Sequence, residues 1–133
     1  MKVFTMPKSV LIAEHHTLVR QAICSLFHAQ QDFEVCGDAE NGKEAVEMAQ
    51  TLHPDLIVLD LSMPVMNGLE AALAVRRFAP ETPIVVFSEY SDLLSEREAR
   101  SRGISALVSK TEPVSVLLDK ARAVLHSTAD SFL

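Results

Sequence analysis

The chain has 133 residues, 48% of them hydrophobic, and 18 acidic against 12 basic side chains give a formal net charge of −6. That is about one domain's worth of chain with enough apolar mass for a core, which excludes a disordered segment. The acidic balance repels phosphate backbones, and no basic run or base-reading helix offsets it, so direct nucleic-acid binding is not expected.

Residues 1–8 read as an N-terminal extension without the apolar core of a signal peptide. Val10-Leu11-Ile12-Ala13 predicts a strand buried on both faces. Leu18, Val19, Ala22, Ile23, Leu26 and Phe27 then recur at helical spacing. Val35-Cys36-Gly37 predicts a second, weaker strand. Asn41-Gly42 opens a helix with Ala45, Val46, Ala49 and Leu52 on its apolar face, and His53-Pro54 stops it. The strongest strand runs from Leu56 to Leu61, and Asn67-Gly68 turns the chain into a helix ending near Phe78. Ile84 to Phe87 predicts the fourth strand. Asp92 to Arg102 is a helix-like, charged segment with Gly103 as its cap. Ser105 to Ser109 holds a short fifth strand. Pro113 starts a last helix with Val114, Leu117, Leu118, Ala121, Val124 and Leu125 on one face. One domain is expected over residues 9–126, with 127–133 as the start of a linker or tail.

Strand and helix thus alternate five times. Short connections between them imply an α/β fold with a parallel sheet, right-handed crossovers and helices on both faces. Cys24 and Cys36 form no C-x-x-C pair, so they read as small core residues in a reducing compartment. No apolar stretch is long enough to span a bilayer. A cytoplasmic protein is expected.

The chemistry lies at the strand ends. Asp60 directly follows four large aliphatics, where a buried strand emerges at the carboxyl edge of the sheet. Glu14, Ser88 and Lys110 end three other strands. An acid, a hydroxyl and an amine converging on one acid suit the handling of a phosphoryl group, because such transfer is mainly positioning and charge neutralisation.

These residues carry a resemblance. D-L-S-M-P at Asp60 to Pro64, N-G-L-E at Asn67 to Glu70, Ser88 and Lys110 together resemble the receiver domain of bacterial two-component response regulators. H-T-L-V-R-Q-A at His16 to Ala22 and P-D-L-I-V-L-D-L at Pro54 to Leu61 are similar to the NarL/LuxR class. The resemblance implies a flavodoxin-like (βα)5 sandwich of strand order 2-1-3-4-5. It implies Asp60 as phosphoacceptor, with Ser88 and Lys110 binding the phosphoryl group. It further implies Mg2+ or Mn2+ between Glu14, Asp60, the Ser62 carbonyl and the position of His15. The implied partners are a sensor histidine kinase, a second copy of the chain, and a C-terminal helix-turn-helix DNA-binding domain. No enzymatic activity is implied beyond self-phosphorylation and autodephosphorylation.

Two positions depart from the family's pattern. His15 stands where a second acid is usual, and imidazole is a poor ligand for hard Mg2+. Glu14, Asp60 and water then hold Mg2+ weakly, or a softer ion uses His15, or the domain signals by binding alone. Leu107 stands where receivers carry an aromatic ring that moves with the Ser/Thr, so the coupling of Ser88 to position 107 is expected to differ; Tyr90 is a candidate substitute. A phosphorylation-independent interaction domain is therefore the alternative reading. An aspartyl-phosphate phosphatase is disfavoured, because the second Asp it needs is Ser62 here.

Overall fold

The computed structural model describes residues 6–89 and 95–130. Five parallel strands, β1 (Lys8–Ala13), β2 (Phe33–Ala39), β3 (Leu56–Asp60), β4 (Ile84–Ser88) and β5 (Ala106–Ser109), form one sheet of order β2-β1-β3-β4-β5. Five helices follow them in turn: α1 (Thr17–His28), α2 (Gly42–Leu52), α3 (Gly68–Phe78), α4 (Glu96–Ser101) and α5 (Val114–Asp130). The expected α/β, flavodoxin-like (βα)5 architecture is the one observed.

Side chains alternate across the sheet as strand geometry requires. Val10, Ile12, Leu56, Val58, Val85 and Phe87 pack with Ile23 and Phe27 of α1 and Leu117, Leu118 and Ala121 of α5. Leu11, Ala13, Ile57, Leu59, Ile84 and Val86 pack against the small residues of α2, α3 and α4. Burial on both faces explains why the three inner strands read as unbroken aliphatic runs. The order reverses direction between β1 and β3, which opens a crevice outside their carboxyl ends.

Several expectations change in detail. The second strand is longer than Val35-Cys36-Gly37; it carries a bulge where Val10 pairs with Val35 but Leu11 with Gly37. On α1, Ile23 and Phe27 are buried, but Leu18 is 80% exposed and Val19 and Ala22 also face outward. Arg20 turns inward instead, held by the polar groups at the sheet edge. Within the charged segment α4 runs from Glu96 to Ser101, while residues 92–94 and Tyr90 lie outside the described residues. Four residues of the expected tail are helical, since α5 continues to Asp130. No Gly or Pro stands there to stop it.

Candidate functional site

The site is assembled at the carboxyl edge. Glu14 and Asp60 leave β1 and β3 as neighbours, and Ser88 and Lys110 leave β4 and β5 beside them. The Lys110 amide donates to the Ser88 carbonyl and the Leu61 amide to the Phe87 carbonyl, which carries the parallel register past the strand ends. Gly68 begins α3 against the Asp60 carbonyl, where a Cβ would overlap that oxygen. Asn67 caps α3 by accepting from the Glu70 amide, while Glu70 accepts from the Asn67 amide.

Glu14, Asp60 and Ser88 are all buried. Lys110 Nζ lies 3.1 Å from Glu14 Oε2 and 3.3 Å from Asp60 Oδ1, so one ammonium bridges both carboxylates. The same ammonium lies over the Phe87 ring, 4.9 Å from the centroid. The Ser62 amide donates to Asp60 Oδ1 at 3.2 Å. Glu14 Oε1 accepts the His16 amide at 3.1 Å and contacts His16 Nδ1 at the same distance. Arg20 donates to the Glu14 carbonyl at 3.0 Å and to Asp38 at 2.9 Å, and so ties α1 to the ends of β1 and β2.

One atom stands apart. Asp60 Oδ2 is buried and has no hydrogen-bond partner among the described residues. Burial, followed by the adjacent Glu14 charge, pushes the Asp60 carboxyl up from 3.8 to about 6, against the pull of Lys110 and the Ser62 amide. Burial also opposes the ionisation of Glu14. There, neighbouring Asp60, the His16 amide and Lys110 outweigh it and hold the carboxyl below its ordinary value.

A groove of about 500 Å³ opens above Asp60, with His15, His16, Ser62, Glu89 and Lys110 on its walls. The four strand-end residues singled out in the sequence therefore converge. Glu14 and Asp60 of the expected ligand set share the Lys110 ammonium, and His15 and Ser62 line the same groove as Asp60; among the described residues, no three His, Cys, Asp or Glu side chains stand close enough to hold one ion. His15 is exposed on the groove wall while Glu14 lies beneath, engaged by Lys110 and His16. Leu107 is half-buried on the far side of β5, in a groove with Glu96, Arg100 and Lys120. Sequence reasoning missed His16, Arg20 and Glu89. The only signal for Glu89 is its place directly after a strand-ending Ser88.

The model of the response regulator receiver domain family matches residues 10–122. The chain belongs to this family. Response regulator protein VraR of Staphylococcus saprophyticus is 34% identical over 122 residues, covering 92% of this chain and 58% of VraR. The chain thus spans little more than half the length of that relative. The response regulator domain of Thermotoga maritima CheB superposes with a TM-score of 0.83 at 28% identity, covering 91% of this chain and 98% of that one. A LuxR-family DNA-binding response regulator from Staphylococcus aureus does so with a TM-score of 0.80 at 26% identity, covering 89% and 98%. The receiver is of the NarL/LuxR-like kind. Among the described residues, no helix is long and apolar enough to cross a membrane.

Receivers of this family generally bind Mg2+ in their acidic pocket. The unpartnered Asp60 Oδ2 beneath the groove fits such a cation, since Mg2+ takes one or two carboxylates and keeps several waters.

Proposed function

We propose that this receiver accepts a phosphoryl group on Asp60. The observation that supports it is the buried, unpartnered Oδ2 beneath an open groove, with the Lys110 ammonium on the other carboxylate oxygen. A carboxylate oxygen of Asp60 attacks the phosphorus of a phosphohistidine on a sensor histidine kinase. The new P–O bond forms as the P–N bond breaks, and its electron pair leaves with the imidazole. Lys110 shifts from the two carboxylates to the incoming phosphoryl oxygens, and the Ser88 hydroxyl donates to them. Asp60 and the Ser62 carbonyl would hold Mg2+ or Mn2+, with Glu14 as the charge behind them. Bound there, such an ion would supply positive charge against the phosphoryl oxygens. His15 in place of an acid weakens that hold.

The group adds strong negative charge and biases a two-state surface. Ser88 and Leu107 lie on neighbouring strands between the site and the α4–α5 groove, and they form the switch. Leu107 has no ring to move, so the response at that face is smaller than an aromatic gives. The full-length protein is read as a cytoplasmic, dimerising transcription regulator with a C-terminal helix-turn-helix domain. Its likeness to the S. aureus LuxR-family protein supports this reading. The chain itself catalyses nothing beyond its own phosphorylation and dephosphorylation.

His15 on the groove wall favours a second reading, a receiver that signals by binding alone. One experiment separates the two. Intact mass is followed with acetyl phosphate and Mg2+ or Mn2+, and amide resonances are followed with beryllofluoride. A gain of about 80 Da that is lost in Asp60→Asn supports the phosphoryl reading. No gain together with no amide shift overturns it in favour of the second.

A further inference from the structure

Glu89 is the groove's other acid, and the transfer chemistry has no use for it. It follows Ser88 at the end of β4 and is exposed on the wall of the groove that holds Asp60. Glu14 is sealed beneath, its oxygens taken by Lys110 and His16. Lys110 and the Ser62 amide both occupy Asp60 Oδ1. Oδ2 is left buried without a partner, and burying an ionised oxygen in that state is costly.

We infer that Glu89 is the second carboxylate of this receiver's cation site, holding a hydrated divalent ion through water while Asp60 Oδ2 binds it directly. The inference rests on the reading of Asp60 as the cation-assisted acceptor. It gives the site an acid from the end of β4 in a chain whose residue after Glu14 is a histidine. Among the described residues, no three His, Cys, Asp or Glu side chains stand close enough to ligate one ion together. A water-mediated role has no such requirement, and Mg2+ and Mn2+ favour oxygen ligands. The expected effect is moderate, since a rim carboxylate acts on the ion through water and is partly screened by salt.

The test is Mn2+ titration of the whole chain, read by water-proton relaxation. Glu89→Gln keeps the side chain's size at an exposed position, so the fold is retained. Glu81→Gln, in the loop at the opposite end of β4, controls for net charge. Glu89→Gln is expected to weaken Mn2+ binding about three- to tenfold, with Glu81→Gln unchanged. Equal affinity in Glu89→Gln and wild type overturns the inference while leaving the mass gain at Asp60 as a separate question. Equal weakening in both variants also overturns it, since net charge then explains the loss. So does wild-type protein that binds no Mn2+, and the mass measurement then decides the phosphoryl reading alone.

Discussion

The ends of β1 and β3 each bury one carboxylate, and the two are held in opposite ways. Glu14 is fully enclosed, with Lys110, the His16 amide and the His16 ring around it. Asp60 shares Lys110, but its second oxygen has no partner among the described residues. Burial raises the cost of ionising both. Neighbouring Asp60, the His16 amide and Lys110 bring Glu14 below its ordinary value, whereas Asp60 rises to about 6. A buried acid is therefore not by itself a reactive one. The acid left short of partners is the one proposed to take a new group.

Lys110→Met gives the largest effect. It removes the ammonium between two buried carboxylates and is expected to destabilise the fold by about 3–5 kcal/mol in urea denaturation at neutral pH. A loss below about 1 kcal/mol would break the contrast, because Glu14 would then not depend on its partners.

Asp60→Asn should act in the opposite direction. Replacing a strained carboxylate with a neutral amide is expected to stabilise the protein by about 1–3 kcal/mol at pH 7.5. The sign follows from linkage: a folded-state pKa raised above the unfolded one makes ionisation cost stability. That cost is fully present above about 6, where Asp60 is charged, and disappears as pH falls towards the ordinary carboxylate value of 3.8. The gain in the variant should therefore shrink between pH 7 and pH 5. A pH-independent gain would assign it to packing instead.

His16→Ala gives the smallest effect. The ring is 65% exposed, and Glu14 keeps both the residue 16 amide and Lys110. A loss of about 0.5–1 kcal/mol is expected from the chemical denaturation midpoint. A larger loss would make His16, rather than Lys110, the main support of Glu14.

Much of this was legible in the chain. The aliphatic runs and the Asn-Gly helix starts marked the alternating elements, and the polar residues ending those runs marked Glu14, Asp60, Ser88 and Lys110. The stripe on α1 was misread. Spacing alone makes Leu18 and Val19 look buried, while Arg20 looks exposed. Asp38 and the Glu14 carbonyl decide otherwise, and helical spacing carries no record of either. His15 was read as standing at the metal because it follows Glu14. The structure puts it on the wall of the groove that holds Asp60, and Glu89 faces the same groove from the end of β4.

Composition and periodicity determined the layers, because burial on two faces demands aliphatic strands and a 3.6-residue period demands helices. Family motifs determined which strand ends bear the chemistry. The tertiary structure alone decided how that chemistry is poised. Which carboxylate is saturated and which is left an unpartnered oxygen depends on Lys110 reaching Glu14 and Asp60 from the end of β5, far along the chain, while His16 closes over Glu14 from the start of α1. Only the folded register brings Lys110 within hydrogen-bond distance of the two carboxylates.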